Sequence, residues 1–108
     1  MFVNFKSENK LLEVFFEEEI DHHSCLLLAN LLDDELKKYT PSIVLFNFEK
    51  VSFMDSSGIG MLLGRYRKII RMGGRTEMCS LNSELQRIFE MSGIMKIMPL
   101  REECQKNG

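Results

Sequence analysis

Two short stretches of this chain carry side chains that can do chemistry. The first is Met54-Asp55-Ser56-Ser57-Gly58, where two hydroxyls stand between a carboxylate and a glycine at the start of a helical pattern. The second is Asp21-His22-His23-Ser24, which holds the chain's only two histidines. Four chemistries are open to the serine turn. A nucleophilic serine needs a base, which only His22 or His23 could supply, and MDSSG departs from the GxSxG elbow because Met54 stands where its first glycine would be. A phosphate site could use the helix N-terminus, but neither GxxxxGK[ST] nor GxGxxG is present. A phosphorylation switch needs an accessible hydroxyl, and a phosphate there would add about −1.5 to −2 charges that the positive helix end tolerates. The plainest role is helix capping, in which Asp55 or Ser56 accepts from a first-turn N–H. Only one residue can hold that position; if Ser56 caps, the Ser57 hydroxyl is free. Gly58 and Gly60 then read as bare backbone that lets another molecule approach closely.

The elements that must hold these stretches follow from residue patterning. FVNFK (2–6) and LLEVFFE (11–17) are rich in strand formers and flank the turn-like SENK, a hairpin signature. A helix follows, with Asp21 as N-cap and Cys25, Leu28, Ala29, Leu32, Leu36 and Tyr39 at helical spacing. Lys37 and Lys38 suit its negative end, and Pro41 stops it. SIVLFNFE (42–49) reads as a strand buried on both faces. The helix after the serines has a predicted inner stripe of Ile59, Leu62, Leu63, Tyr66, Ile69 and Ile70, with Arg65, Arg67, Lys68 and Arg71 off it, and Gly73-Gly74 end it. RTEMCS (75–80) is a strand. NSELQRIFEMSG (82–93) is a short helix capped by Asn82 or Ser83, and IMKIMPL (94–100) a last strand or packed extended tail. Residues 101–108 are expected to fray or form a brief helical turn. The order ββαβαβα(β) predicts an α/β domain with a mixed sheet of four to five strands and crossover helices. Loops after the strands of such sheets carry functional sites, and both chemical stretches are such loops.

The totals narrow the function classes. A length of 108 residues predicts one domain over 1–108. Fourteen basic residues against sixteen acidic ones give a net charge of −2, with no general pull toward nucleic acid or an anionic membrane. Cys25, Cys79 and Cys104 are odd in number and fall in no CxxC or CxxH spacing, so they read as reduced thiols of a cytoplasmic protein. No signal peptide is evident, and no stretch reaches the ~18 apolar residues of a membrane helix. The methionines fall mostly in predicted core elements, where flexible thioethers fill gaps.

FMDSSGIGMLLGRYRKI, the following GG, NSELQRIFEMSGIMKI and the upstream EIDHHS together resemble the anti-sigma factor antagonist family of STAS domains, its sporulation members in particular. The resemblance spans roughly residues 10 to 98. It implies a protein that is not an enzyme but the substrate of a serine kinase, which is also the anti-sigma factor, and of a serine phosphatase. ATP and Mg²⁺ would belong to the kinase, so no cofactor of its own is implied. On this likeness Ser57 is the phosphoacceptor, Asp55 and Ser56 shape the turn, Gly58 and Ile59 continue the docking surface, and Asp21 faces the partner. His22 and His23 read as solvent-facing or as minor partner contacts. The basic stretch Arg65, Arg67, Lys68 and Arg71 reads as a solvated face or as a rim that speeds encounter. Alternatives are a passive STAS scaffold in which the serines only cap, and a weak nucleotide-binding module. Two features depart from the family pattern: Glu18 stands where the family has a glycine, and the short tail leaves little room for a further C-terminal helix, exposing apolar surface near Ile97 and Leu100 that could favour self-association.

Overall fold

A computed structural model describes residues 1–101. Strands β1 (Phe2–Lys6) and β2 (Leu11–Phe15) form the antiparallel hairpin; β3 (Ile43–Asn47) and β4 (Arg75–Cys79) join β2 in parallel, in the spatial order β1-β2-β3-β4. Helices α1 (His22–Tyr39) and α2 (Ser56–Arg71) make the two crossovers, and α3 (Ser83–Ser92) follows β4. The sheet is therefore mixed and four-stranded, as the element order requires.

The period-2 pattern of the strands sorts the side chains. Leu12, Val14, Val44, Phe46 and Met78 share one core with Leu32 and Leu36 of α1, Leu62 and Ile69 of α2, and Leu85 and Phe89 of α3. All three helices thus cover one face of the sheet. Its centre is aromatic: Phe48 lies 5.4 Å from Phe16 and 5.3 Å, edge to face, from Phe89. On the opposite face Leu11, Leu45 and Cys79 form a second buried cluster, and the buried Glu13 carboxylate accepts from Asn47 Nδ2 at 3.0 Å. The double burial explains why β3 reads as a continuous apolar run.

Several expectations need correction. Residues 94–100 are not a strand. Gly93, at φ 79°, ends α3, and a single 3-10 turn (Ile94–Lys96) follows. Ile94 and Met98 are both buried, and Met98 N–H donates to Ile94 O at 2.9 Å, a helical bond across four residues that no strand makes. The chain meets the sheet just beyond, in one isolated parallel bridge of Leu100 to Met78, whose N–H donates to Pro99 O at 3.0 Å and whose O accepts from Arg101 N–H at 2.7 Å. On α2, Ile69 is 1% exposed but Ile70 46% exposed, so Ile70 lies outside the inner stripe, and Met61, not assigned to that stripe, is buried. Arg65 is not on a solvated face either: its Nε lies 3.0 Å from Asp33 of α1, which also meets Lys68 Nζ at 2.6 Å, so two of the four basic residues tie the helices together. Cys79 is disulfide-bonded, against the expectation of three reduced thiols, whereas Cys25 is free. Apart from Arg101, the tail expected to fray lies outside the described residues.

Candidate functional site

Both chemical stretches sit at the ends of parallel strands, and the fold brings them together. Beyond Asn47 the backbone turns as Asn47 Oδ1 accepts from Glu49 N–H at 2.9 Å, and Asn82 Nδ2 steadies the loop by donating to Val51 O at 3.3 Å. Ile20 and Met54, both buried, then pair in a parallel bridge. That bridge sets the residues that follow, Asp21 and Asp55, beside each other, each opening a helix.

Each aspartate caps its own helix. Asp21 Oδ1 accepts from Ser24 N–H at 3.0 Å, and Ser24 Oγ accepts from Asp21 N–H at 3.1 Å, a reciprocal capping box. The bond from the Ser24 backbone holds the Asp21 carboxyl below its usual range, helped by the Ser24 hydroxyl. Asp55 Oδ1 accepts from Ser57 N–H at 2.9 Å and Gly58 N–H at 3.2 Å, while its Oδ2 accepts from His22 N–H at 3.2 Å. One carboxylate therefore serves the first turns of both helices. This settles the capping question that the sequence left open between the two: Asp55, not Ser56, is the N-cap of α2. Ser56 is the first helical residue and is exposed; Ser57 is the second and is half-buried.

The Ser57 hydroxyl faces α1, with Oγ 3.4 Å from His22 Nδ1. The sequence did not single out this contact, although the like placement of the DHH and DSSG stretches after parallel strands was its one legible sign. His22 is exposed, and among the described residues no carboxylate engages its second ring nitrogen to orient it as a base. Cys25, one turn along α1, is no better a nucleophile: partial burial, then the Asp55 and Asp21 charges, push its thiol up. At the rim, the Ser52 hydroxyl donates to Glu19 and holds that carboxyl below its usual range. Among the described residues no cluster of His, Cys, Asp or Glu could hold a metal ion, and no helix is long and apolar enough to cross a membrane.

The two glycines differ. A Cβ on Gly58 would lie 2.4 Å from Met54 Cγ and 3.0 Å from Ile20 O, so this buried glycine lets α2 seat against the two paired loops. Its bareness serves internal packing, not an outside molecule. Around Gly60 a Cβ would meet nothing within 4 Å, and that position is open to solvent. Ile59 is half-buried and packs on the core. Apolar side chains flank the turn: Phe53 is 45% exposed, and Leu26, one turn beyond His22, 74% exposed.

A mixed four-stranded sheet with its crossover helices on one face, and a DSSG turn capped by its own aspartate, define the class: the chain belongs to the STAS domain family, matched over residues 3–107. Its relatives include the anti-sigma F factor antagonist of Paenibacillus polymyxa, 32% identical over 91% of this chain and 84% of the relative. The fold is shared with the anti-sigma factor antagonist SpoIIAA in its unphosphorylated form, at 22% identity over 96% of this chain and 89% of the other, with a TM-score of 0.72. It is shared too with the Bacillus cell fate determinant SpoIIAA in the phosphorylated form, at 26% identity over 94% and 93% of the two chains, with a TM-score of 0.67.

Proposed function

We propose that this chain is an anti-sigma factor antagonist controlled by phosphorylation. Unmodified, it docks on an anti-sigma factor that is also a serine kinase, and the sigma factor is released. Phosphorylation of Ser57 ends that binding, and a serine phosphatase restores it. The observation that carries the reading is the division of labour at the turn: Asp55 does the capping, so the Ser57 hydroxyl is left over from the work of folding. The Paenibacillus relative and the phosphorylated SpoIIAA support it by likeness.

The physical chemistry of the switch is electrostatic. A phosphate on Ser57 adds about −1.5 to −2 charges beside the Asp55 and Asp21 carboxylates. The Ser57 hydroxyl takes no part in the capping bonds, so the fold persists while the docking surface gains negative charge and hydration. Asp55, Ser56 and Asp21 flank the acceptor, Gly58 and Ile59 follow it along α2 as the continuation of the docking surface, and the exposed Phe53 and Leu26 supply apolar area for a partner. The chain itself performs no catalysis on this reading. It needs no cofactor, since ATP and Mg²⁺ act on the kinase; it binds neither nucleic acid nor membrane and works in the bacterial cytoplasm.

The test is mass spectrometry after incubation with ATP and the cognate anti-sigma kinase, with the modified peptide sequenced. One phosphate on Ser57, and none on Ser57→Ala although that variant still binds the kinase, is the expected result. No phosphate from a kinase proven active on another substrate would leave a passive STAS scaffold as the better reading.

A further inference from the structure

Resting on the proposed phosphorylation of Ser57, we propose that His22 is the counter-ion of the phosphorylated turn, its imidazolium holding the phosphoryl group between the two helix N-termini. The geometry points to this role through a shared anchor. Asp55 binds the backbone N–H of His22 with one oxygen and the backbone N–H of Ser57 with the other, at 3.2 and 2.9 Å. The two residues are thus pinned at the openings of their helices, and their side chains leave the backbone toward each other, Oγ to Nδ1 at 3.4 Å. That separation is long for a hydroxyl–imidazole hydrogen bond, whose usual O···N distance is under about 3.2 Å. It is short for a phosphoserine: the three added oxygens sit on the phosphorus beyond Oγ, and rotation about the Cβ–Oγ and Oγ–P bonds can bring one of them within bonding distance of Nδ1. The interaction is a charge-assisted hydrogen bond in which the imidazolium donates and the phosphate accepts.

The chemistry matches in pH as well as in space. A histidine ordinarily titrates near about 6.5 and a phosphoserine's second proton leaves near about 6. Each group favours the charged form of the other, so the pair titrates as a unit, with the imidazolium–dianion form extended to higher pH. No covalent step is involved; the proton on His22 comes from solvent. The charged and titratable groups around the pair are Asp21 on the same turn of α1, His23 next to it with its ring centroid 6.0 Å from that of His22, Asp55 at the head of α2, and Cys25 one turn along α1. The two carboxylates are present before and after modification, so they set a common background against which the phosphate acts. His23 shares that background and no hydrogen bond joins it to Ser57, which makes it an internal reference. Phosphorylation then does more than add charge: it draws the exposed His22 ring onto the turn, and the hold loosens both above the ionisation of His22 and below that of the phosphate.

The chain has two histidines, so both can be followed individually. Phosphoserine is placed at position 57 by genetic encoding, which makes the experiment independent of any kinase, and imidazole nitrogens are titrated by NMR from about pH 5 to 9. The expected result is that phosphorylation raises the midpoint of His22 by about one to two pH units and that of His23 by less than half as much. In the phosphorus spectrum, the second ionisation of phosphoserine should move to higher pH by a similar amount in His22→Ala, and stay there in the neutral His22→Gln, whereas His23→Ala should leave it in place. Equal movement of the two histidines, or an unchanged phosphorus titration in His22→Ala, overturns the proposal. If the pairing is found but the cognate kinase leaves Ser57 unmodified, the proposed function fails and the counter-ion assignment does not.

Discussion

Replacing Asp55 tests the central feature of the site, that one carboxylate opens two helices. Asp55→Ala removes the acceptor of Ser57 N–H, Gly58 N–H and His22 N–H at once. Losing an N-cap costs ~1 kcal/mol. The bond to His22 N–H has a charged acceptor, worth ~1.5–3 kcal/mol where water is excluded, but Asp55 is half-buried and solvent replaces part of it. Taking about 1 kcal/mol for that bond gives a total of about 2 kcal/mol. Unfolding entropy near 60 °C is about 2.1 cal/mol/K per residue, so the 108-residue chain melts with about 0.23 kcal/mol/K, and Tm should fall by about 9 °C. Asp55→Asn keeps one acceptor oxygen but cannot serve both helices or answer their dipoles, and should lose about half as much. Ser56→Ala is the contrast. Among the described residues the exposed Ser56 hydroxyl makes no recorded hydrogen bond, so its loss should stay within about 0.5 kcal/mol, or about 2 °C. Circular-dichroism melts, with urea m-values to confirm an unchanged denatured state, read all three. A fall of 5 °C or more for Ser56→Ala beside an unmoved Asp55→Ala would refute the capping assignment.

The two glycines of the turn should respond with opposite signs. Gly58→Ala drives a Cβ against Met54 and the Ile20 carbonyl and should cost ~1–3 kcal/mol, whereas Gly60→Ala meets open space and should gain up to ~1 kcal/mol in helix propensity; urea midpoints decide, and a neutral Gly58→Ala would mean the paired loops give way. The capping box predicts a pH dependence. The folded-state pKa of Asp21 is depressed, so its contribution is complete above the unfolded value near about 4 and is lost as pH falls through the folded value; urea midpoints of wild type and Asp21→Asn should therefore differ at pH 6 and draw together as pH falls below about 4, and a gap that stayed constant down to the acid limit of folding would contradict the cause assigned.

Much of this arrangement is legible in the residues because it rests on local rules. The hairpin around SENK, the Asp21 cap of α1 and the stop at Pro41 after a left-handed Thr40 each need only a few neighbouring residues, and each falls where patterning puts it. The errors arise where two local answers are equally good or where the deciding partner is remote. Asp and Ser are comparable N-caps, so the DSS run could not say which one caps; the answer came from the seating of Asp55 against His22 across the Ile20–Met54 bridge. Gly58 looked like an opening because its neighbour Met54, in the loop just upstream, folds back over it. Arg65 looked solvated because its partner Asp33 lies on another helix. The phase of the α2 stripe slipped at one residue, Ile69 against Ile70, since an apolar pair contributes to a helical pattern at either place.

The site divides into positions the fold needs and positions it does not, and on the phosphoswitch reading that division is what permits regulation. Asp55 and Gly58 are fixed by capping and packing, so their loss acts through stability. Ser56, Ser57 and His22 hold almost nothing together: one hydroxyl is exposed, the other rests 3.4 Å from an exposed imidazole. A helix N-terminus carries about half a positive charge, so the Asp55 and Asp21 carboxylates already more than balance the two ends they cap. A phosphate arriving there meets no unspent dipole to absorb its full charge. Protonation of His22 recovers one unit, and the remainder stands at the surface a partner must cover. A modification placed at a helix end that still lacked its capping anion would instead be drawn into the fold, raising stability and hiding the charge. Because the cap is already filled, the added charge is spent on recognition, and the melting temperature of the phosphorylated chain should stay close to that of the unmodified one.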